Sequence, residues 1–490
     1  MSVTRWLRSA AGVAAVAVAL AGCTQPPSGG PPGPPTTIVV TTTADVVDAA
    51  DGLVSLREAF IAASGDNADS TIVVASGAEY LLTSCGAGQL VHGGGRALVV
   101  TTDATARATV RQTCSPARVM VVGGSSVTLE HLTIRGGRAS SPFPCGLTVY
   151  GQPSCARGAG ITSSAPLVLE DVEVTDNRSI GDGSFEGGGV SARAGATVID
   201  SEFSANYANR AGGAIASVGP LTISGSTFVS NSSGDGGALS VHDGSVTITG
   251  SEFRSNVAGS GGAVVLVGAA LSATDTVFRL NTAGGGPGAA IWADSSVGSL
   301  VLERVAMVQN SGRTGALTLF AGVADVRIID SSIVDNVATW AFRDQYNRAA
   351  GGIATLGASN ITITGSTIAF NTAPPGGGAN IDLPPANGTT VTLSSSIISD
   401  PTSGAANCEL NGNLASVTDS LVTDATCGGP AAPAPPALGA LTQSGATWFR
   451  SPAPSSPAVD QLAPPCATGS DQRGVARPVG AGCDLGAIEG

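Results

Sequence analysis

Apolar residues recur along this chain at fixed distances before a series of asparagines. Asn177, Asn206, Asn231, Asn256, Asn281, Asn310, Asn336 and Asn371 are separated by 29, 25, 25, 25, 29, 26 and 35 residues. The residue three before each is apolar: Val174, Phe203, Phe228, Phe253, Phe278, Met307, Ile333 and Ile368. Eight before stand Leu169, Val198, Ile223, Ile248, Ala273, Leu302, Ile328 and Ile363, and ten before a third apolar set from Leu167 to Ile361. Five before, the residue is mostly a small hydroxyl, as in Ser201, Ser226, Ser251, Thr276, Ser331 and Ser366. The alternation at ten and eight has the period of two of a strand. Val127, Leu129 and Ile134 fit the same frame with Gly137 in the Asn slot, and Val391, Leu393 and Ile398 fit it with Pro401 there.

A short variable stretch follows each Asn, and then in most coils a small-residue cluster such as Gly212-Gly213-Ala214 or Gly236-Gly237-Ala238. Glycine permits a tight corner of positive φ, and alanine suits a narrow interior. Asparagine also tolerates left-handed geometry, so the Asn itself is expected at a corner. A solenoid with one coil per period accounts for all of this. The expected fold is all-β: a single-stranded right-handed parallel β-helix with coils of about 25 residues, the hand following from the crossover rule. Like residues would stack on the next coil at roughly 4.8 Å. The Asn series then becomes a structural ladder. Its sequons, Asn177-Arg178-Ser179 and Asn231-Ser232-Ser233, would be too buried for glycosylation. A propeller is disfavoured, because its blades need about 40 residues or more.

Composition agrees. Gly is 68 of 490 residues, aromatics are 4% and charged residues 12%, as thin stacked coils require. The 42% of hydrophobic residues disfavours disorder. The formal net charge of −13 argues against nucleic-acid partners.

The N-terminus reads as an export signal over residues 1–22, with basic Arg5 and Arg8 before an apolar run too short to span a bilayer comfortably. Leu20-Ala21-Gly22-Cys23 resembles the lipobox of bacterial lipoproteins. That resemblance implies lipidation of Cys23 and a membrane partner through the N-terminal lipid. Loss of two arginines with the signal would take the charge from −13 to −15. Residues 23–36 form a Pro/Gly-rich tether. The remaining cysteines, Cys85, Cys114, Cys145, Cys155, Cys408, Cys427, Cys466 and Cys483, fall in neighbouring couples outside the regular coils. Sequential pairing is the simplest of 105 possible connectivities. Together with the export signal they point to an oxidising, extracytoplasmic setting.

Two end segments carry a family resemblance. Val54-Ser55-Leu56-Arg57-Glu58-Ala59-Phe60-Ile61 resembles the CSLREA-type motif, with Val54 where that motif often has Cys. Ser456-Pro457-Ala458-Val459-Asp460, Asp471-Gln472-Arg473-Gly474 and Cys483-Asp484-Leu485-Gly486-Ala487-Ile488-Glu489 resemble the choice-of-anchor Q proteins. Those are surface β-helix proteins with repeats in the style of the polymorphic outer-membrane proteins. The resemblance implies fold and location and supplies no active site. Leu56, Ala59, Phe60 and Ala63 share one helical face, which predicts a short N-terminal capping helix. The β-helix with this cap is assigned to 37–430, and 431–490 to a C-terminal segment capping the other end.

No chemistry is fixed by motif. Asp171, Glu173, Asp176, Asp325, Asp330 and Asp335, with Arg178, Arg304 and Arg327, are candidates for a lyase or hydrolase site. Outward strand positions carry polar groups in any case, so no catalytic residue is assigned. His242 with Asp243 reads as an isolated pair on a loop. No CxxC or histidine cluster suggests a metal, and no cofactor is expected. The expected function is an anchored extracytoplasmic rod, non-catalytic, adhesive or carbohydrate-binding, with a polysaccharide or another cell surface as partner. The alternative is a polysaccharide lyase or glycoside hydrolase on the same frame, walled by loops 137–160, 336–351 and 371–391.

Overall fold

In the computed structural model the described residues are 33–490, apart from 141–147, 150–151, 154–157, 181–186, 295, 321–322, 340–348, 358, 386–387 and 403. The chain winds as a right-handed parallel β-helix, and neighbouring coils pair in parallel throughout. Each complete coil has four faces. In the coil ending at Asn231 they are Ile215–Val218 (first), Leu221–Ser224 (second), Thr227–Val229 (third) and, after the Asn, Ser232–Asp235 (fourth). The second face begins at Thr36–Val39 and ends at Leu414–Thr418. The third has 13 strands, from Glu79–Leu82 to Leu421–Val422, and the fourth has 8.

The stacking register puts equal positions of the sequence frame on top of each other. Phe203, Phe228 and Phe253 pair in succession, and so do Leu221 and Val246, and Ile223 and Ile248. The four rings from Phe203 to Phe278 stack with centroids 4.8, 4.6 and 4.9 Å apart. The flanking coils fit as well, Val127 beside Leu167 and Ile398 beside Ile368.

The buried asparagines build a continuous hydrogen-bonded spine. Oδ1 of Asn256 accepts from the backbone N–H and the Nδ2 of Asn231, at 3.0 and 3.1 Å, and its own Nδ2 donates to the Phe228 carbonyl at 2.9 Å. The pattern repeats from Asn177 to Asn371. Asn380 and Asn407, which hold no slot in the sequence frame, carry it two steps further. A second spine uses the hydroxyls: Ser226 Oγ accepts from the Ser201 N–H and donates to the Ser224 carbonyl. Each spine satisfies backbone groups that the corners would otherwise bury unpaired, at about 1–3 kcal/mol apiece.

The corner conformation differs from the expectation. The left-handed residue is the one before each Asn, such as Asp176 (φ 51°), Ser230 (φ 55°) and Phe370 (φ 56°). A second left-handed corner lies six before the Asn, at Asp171, Asp200, Gly225, Gly250, Asp275 and Asp330. The Asn is freed to hydrogen-bond across coils. In the glycine pairs, Gly236 takes φ +66°, while a Cβ on Gly237 would meet the Gly262 carbonyl oxygen at 2.2 Å. One glycine supplies conformation and the other supplies room.

At the N-terminal end the helix Leu56–Gly65 buries Leu56, Ala59, Phe60 and Ala63 into the rod's core. Ser55 caps it and Glu58 completes a capping box. Arg57 binds the Asp45 carboxylate at 2.7 Å and reaches the carbonyls of Gly88 and Gln89. The end motif is therefore a clasp between helix and first coils.

The C-terminal segment lies elsewhere than expected. It runs back along the outer surface of the third face. Leu438, Leu441 and Trp448 pack on Val277, Ala306, Val308, Val334 and Ala369, and Ala458 and Leu485 pack on Ile397 and Leu421. Gln472 bonds Ser332, the Ala487 N–H bonds Thr367, and Arg450 pairs with Asp335 at 2.7 Å. Outward positions there are apolar or small, so the third face needs a cover along its side. Disulfides join Cys85–Cys114, Cys408–Cys427 and Cys466–Cys483. Cys145 and Cys155 lie outside the described residues, as does Cys23.

Candidate functional site

The acids singled out from the sequence are held in local pairs. Asp171 binds Arg107 at 2.6 Å and His131 at 2.8 Å. Partial burial raises its carboxyl, but these two partners outweigh that and hold it below the usual range. Glu173 accepts from the Thr133 hydroxyl, Asp176 pairs with Arg138, and Arg178 stacks on Tyr207. Asp325 pairs with Arg327, and Arg304 with Asp275 and Glu303. Asp330 lies under the C-terminal segment, where burial pushes its carboxyl up to about 6 against the opposing pull of Thr468 and Arg477. These groups match their neighbours and do not converge on one opening. Loops 137–160 and 336–351 fall largely outside the described residues.

The side chains that do converge come from elsewhere. A cleft of about 400 Å³ lies on the outer surface of the first face, walled by the fourth-face turns. Its floor is built by strand register. Ser240, Val265 and Trp292 stack in one outward column, and His242 and Val267 in the next. Asp294 extends the second column, since Leu266 pairs with Ala293 and Ala293 with Leu319, and the residue after each continues the row. Phe320 follows Asp294 in that row and is 38% exposed, the one exposed aromatic ring among the described residues. Asn209, Arg210 and Asp235 form the wall.

Burial governs the electrostatics here. Desolvation raises the Asp235 carboxyl above its ordinary range, outweighing its hydrogen bond from Ser260 and the attraction of Arg210 and His242, and Asp294 pushes it the same way. Burial lowers the His242 imidazole, against the pull of Asp243, Asp235 and Asp294, and so favours the neutral ring. Ser240 Oγ lies 3.4 Å from His242 Nε2. The Trp292 indole Nε1–H is buried without a hydrogen-bond partner. His242 thus belongs to the strand Leu239–Thr249, with acids of two other segments around it, and not to a loop. The signal that could have found this group is the glycine-alanine cluster. Counting from it aligns Trp292 with Ser240 and Val265, as counting from the Asn does not, because the coil after Asn281 has two more residues before its cluster.

The arrangement offers an apolar floor, an unpaired N–H donor, two carboxylates, an imidazole and a guanidinium. Such a mixture of apolar floor and few polar groups suits a polyhydroxylated ligand.

No family model matches the chain, and no curated protein matches it. Among solved structures it is similar to the crystal structure of pectate lyase Pel9A, at 15% identity and a TM-score of 0.36, over 94% of this chain and 97% of that one.

Proposed function

We propose that the protein is an extracytoplasmic, surface-tethered β-helix rod that binds a polysaccharide in the cleft on its first face. The observation that carries this is the cleft itself, with Trp292, Asp235, Asp294, His242 and Arg210 around an apolar floor and Phe320 beyond it. Sugars combine an apolar C–H face with a hydroxyl rim, and aromatic and hydrogen-bonding groups recognise the two parts separately. Affinity of the purified body for a panel of soluble polysaccharides tests the reading. Trp292→Ala and Phe320→Ala are each expected to weaken binding about tenfold, or about 1.4 kcal/mol. Unchanged affinity in both variants overturns it.

The tether reading rests on Cys23, the Pro/Gly run after it and the resemblance of the end motifs to choice-of-anchor Q surface proteins. The three disulfides fit an oxidising compartment. Cys23→Ala is expected to release the protein from membranes, and retention of the variant refutes the anchor.

One observation favours an enzymatic second reading. A carboxyl held above its usual range beside a second acid is what a glycosidase acid/base pair requires. Release of new reducing ends from bound polysaccharide, abolished by Asp235→Asn, would establish it.

A further inference from the structure

The helix Leu56–Gly65 closes the N-terminal end of the rod, and one titratable ring lies in the seam beneath it. His92 ends the strand Leu90–His92 and is 1% exposed. Strand alternation turns Leu90 and His92 inward and leaves Val91 outside. One coil on, His92 pairs with the buried Val122. Its Nδ1 lies 3.4 Å from the Ser64 hydroxyl in the last turn of the helix. That hydroxyl has one proton, and the carbonyls of Phe60 and Val91 compete for it at 2.8 and 3.1 Å. Nδ1–H is therefore the donor to Ser64, and Nε2 keeps a lone pair. Nε2 is buried with no hydrogen-bond partner among the described residues. A methyl group on Gly94 would stand 3.0 Å from Cε1 and 3.4 Å from Nε2, which leaves no space for a water between Gly94 and the ring.

Protonation would place a full charge on this ring away from solvent. Burial lowers its affinity for the proton, and the Arg96 backbone only partly opposes that. The charged groups on the surrounding elements are engaged elsewhere. On the helix, Arg57 binds Asp45 at 2.7 Å and Glu58 closes the capping box. Asp66 accepts from the Thr36 hydroxyl, Asp69 accepts from the Ala97 N–H, and Arg96 reaches Asn67. No carboxylate among these acts on the ring.

We infer that His92 is an acid-sensitive latch, whose protonation at mildly acidic pH frees the helix Leu56–Gly65 from the first coils and opens the N-terminal end of the core. Opening removes the cover that Leu56, Ala59, Phe60 and Ala63 provide. The ring of the open form takes its proton at the ordinary 6.5, and that of the closed form only at lower pH. The cap's stability is thus complete above 6.5 and is lost as pH falls below it. Carboxylates act in a lower window. At Asp45 burial raises the carboxyl but Arg57 and backbone donors outweigh it, and the N–H groups of Ser55 and Asp48 lower Glu58, so both stay charged down to below 3.8 and 4.5.

Hydrogen exchange on the intact protein tests the latch, read as protection corrected for the intrinsic rate at each pH. From about pH 7.5 to about pH 5, protection in Leu56–Gly65 is expected to fall about tenfold. Thr442–Phe449 is the internal control, because Asp330 gives that segment the opposite sign. His92→Gln and His92→Phe, which cannot take the proton, are expected to abolish the response of the helix and leave that of the control. Thermal unfolding of each variant verifies that it is folded, and the wild-type comparison of the two segments stands without either. Constant protection of the helix over this interval, an undiminished fall in both variants, or a fall of equal size along the whole rod overturns the inference.

Discussion

The third face of the rod is one sheet with two different exteriors. In its earlier coils the outward positions, four and two before each Asn, carry Glu173 and Thr175, Glu202 and Ser204, Thr227 and Val229, and Glu252 and Arg254, all partly exposed. From Val277 onward the same positions hold Val277 and Arg279, Ala306 and Val308, Ser332 and Val334, Thr367 and Ala369, and Ile397 and Ser399, all buried except Arg279, which is half-buried with its guanidinium over the Trp448 ring. The interior is the same on both sides of this boundary: Phe253 stacks on Phe278 across it, and the Asn spine passes through. What changes is the partner. Solvent meets the first part, and the C-terminal segment covers the second. A repeat can therefore keep its inner code constant and still use its outer code to say where another part of the chain will lie.

Deleting residues 431–490 should break this comparison most strongly. It uncovers a strip of valine, alanine and isoleucine side chains, worth about 1–2 kcal/mol for each of the larger ones. Self-association is expected, seen as an oligomer or aggregate by light scattering. A monomeric, fully folded product would show that the cover is dispensable.

Asn256→Ala strikes the shared interior near the boundary. It removes the acceptor for the Asn231 N–H and Nδ2 and the donor for the Phe228 carbonyl. With about 1–3 kcal/mol for each buried group left unpaired, a loss of roughly 3–5 kcal/mol is expected by denaturant unfolding. A loss below about 1 kcal/mol would mean that the spine relaxes or admits water.

The covered half should also respond to pH through Asp330. Its carboxyl is raised to about 6 in the folded protein, above the ordinary value of 3.8. The folded state holds that proton more tightly, so its contribution is complete below the ordinary value and is lost as pH rises through about 6. Hydrogen exchange in Thr442–Phe449 should quicken over this interval, with a change on the order of 2 kcal/mol. Asp235 is raised too and contributes with the same sign in the open half. Asp330→Asn isolates the clamp, because it should flatten the response in the covered half alone.

The smallest effect belongs to the open exterior. Glu252 and Arg254 form a 3.5 Å pair with both side chains substantially exposed. Glu252→Gln should change stability by less than about 0.5 kcal/mol in a thermal melt. A larger loss would mean that this exterior is covered in the native protein.

Legibility followed the same division. The frame of ten, eight, five and three before the Asn anticipated the inward residues and the stacking register, because an inward residue meets its own equivalent one coil away. The left-handed corner six before the Asn was also visible in the run of Asp171, Asp200, Gly225, Gly250 and Asp275, although the pattern read from the asparagines did not use it. The loss of charge after Arg279 at the outward third-face positions was a readable sign of a covering segment.

The sequence by itself thus determined the coil, its interior and its two polar spines, since each depends on a residue type repeated at a fixed interval. Only the tertiary structure decided where the C-terminal segment lies, and that Asp235, His242 and Asp294 share one cleft. These are meetings between residues of different coils or distant segments. They depend on variable loop lengths and on the path of the returning chain, which no local period records.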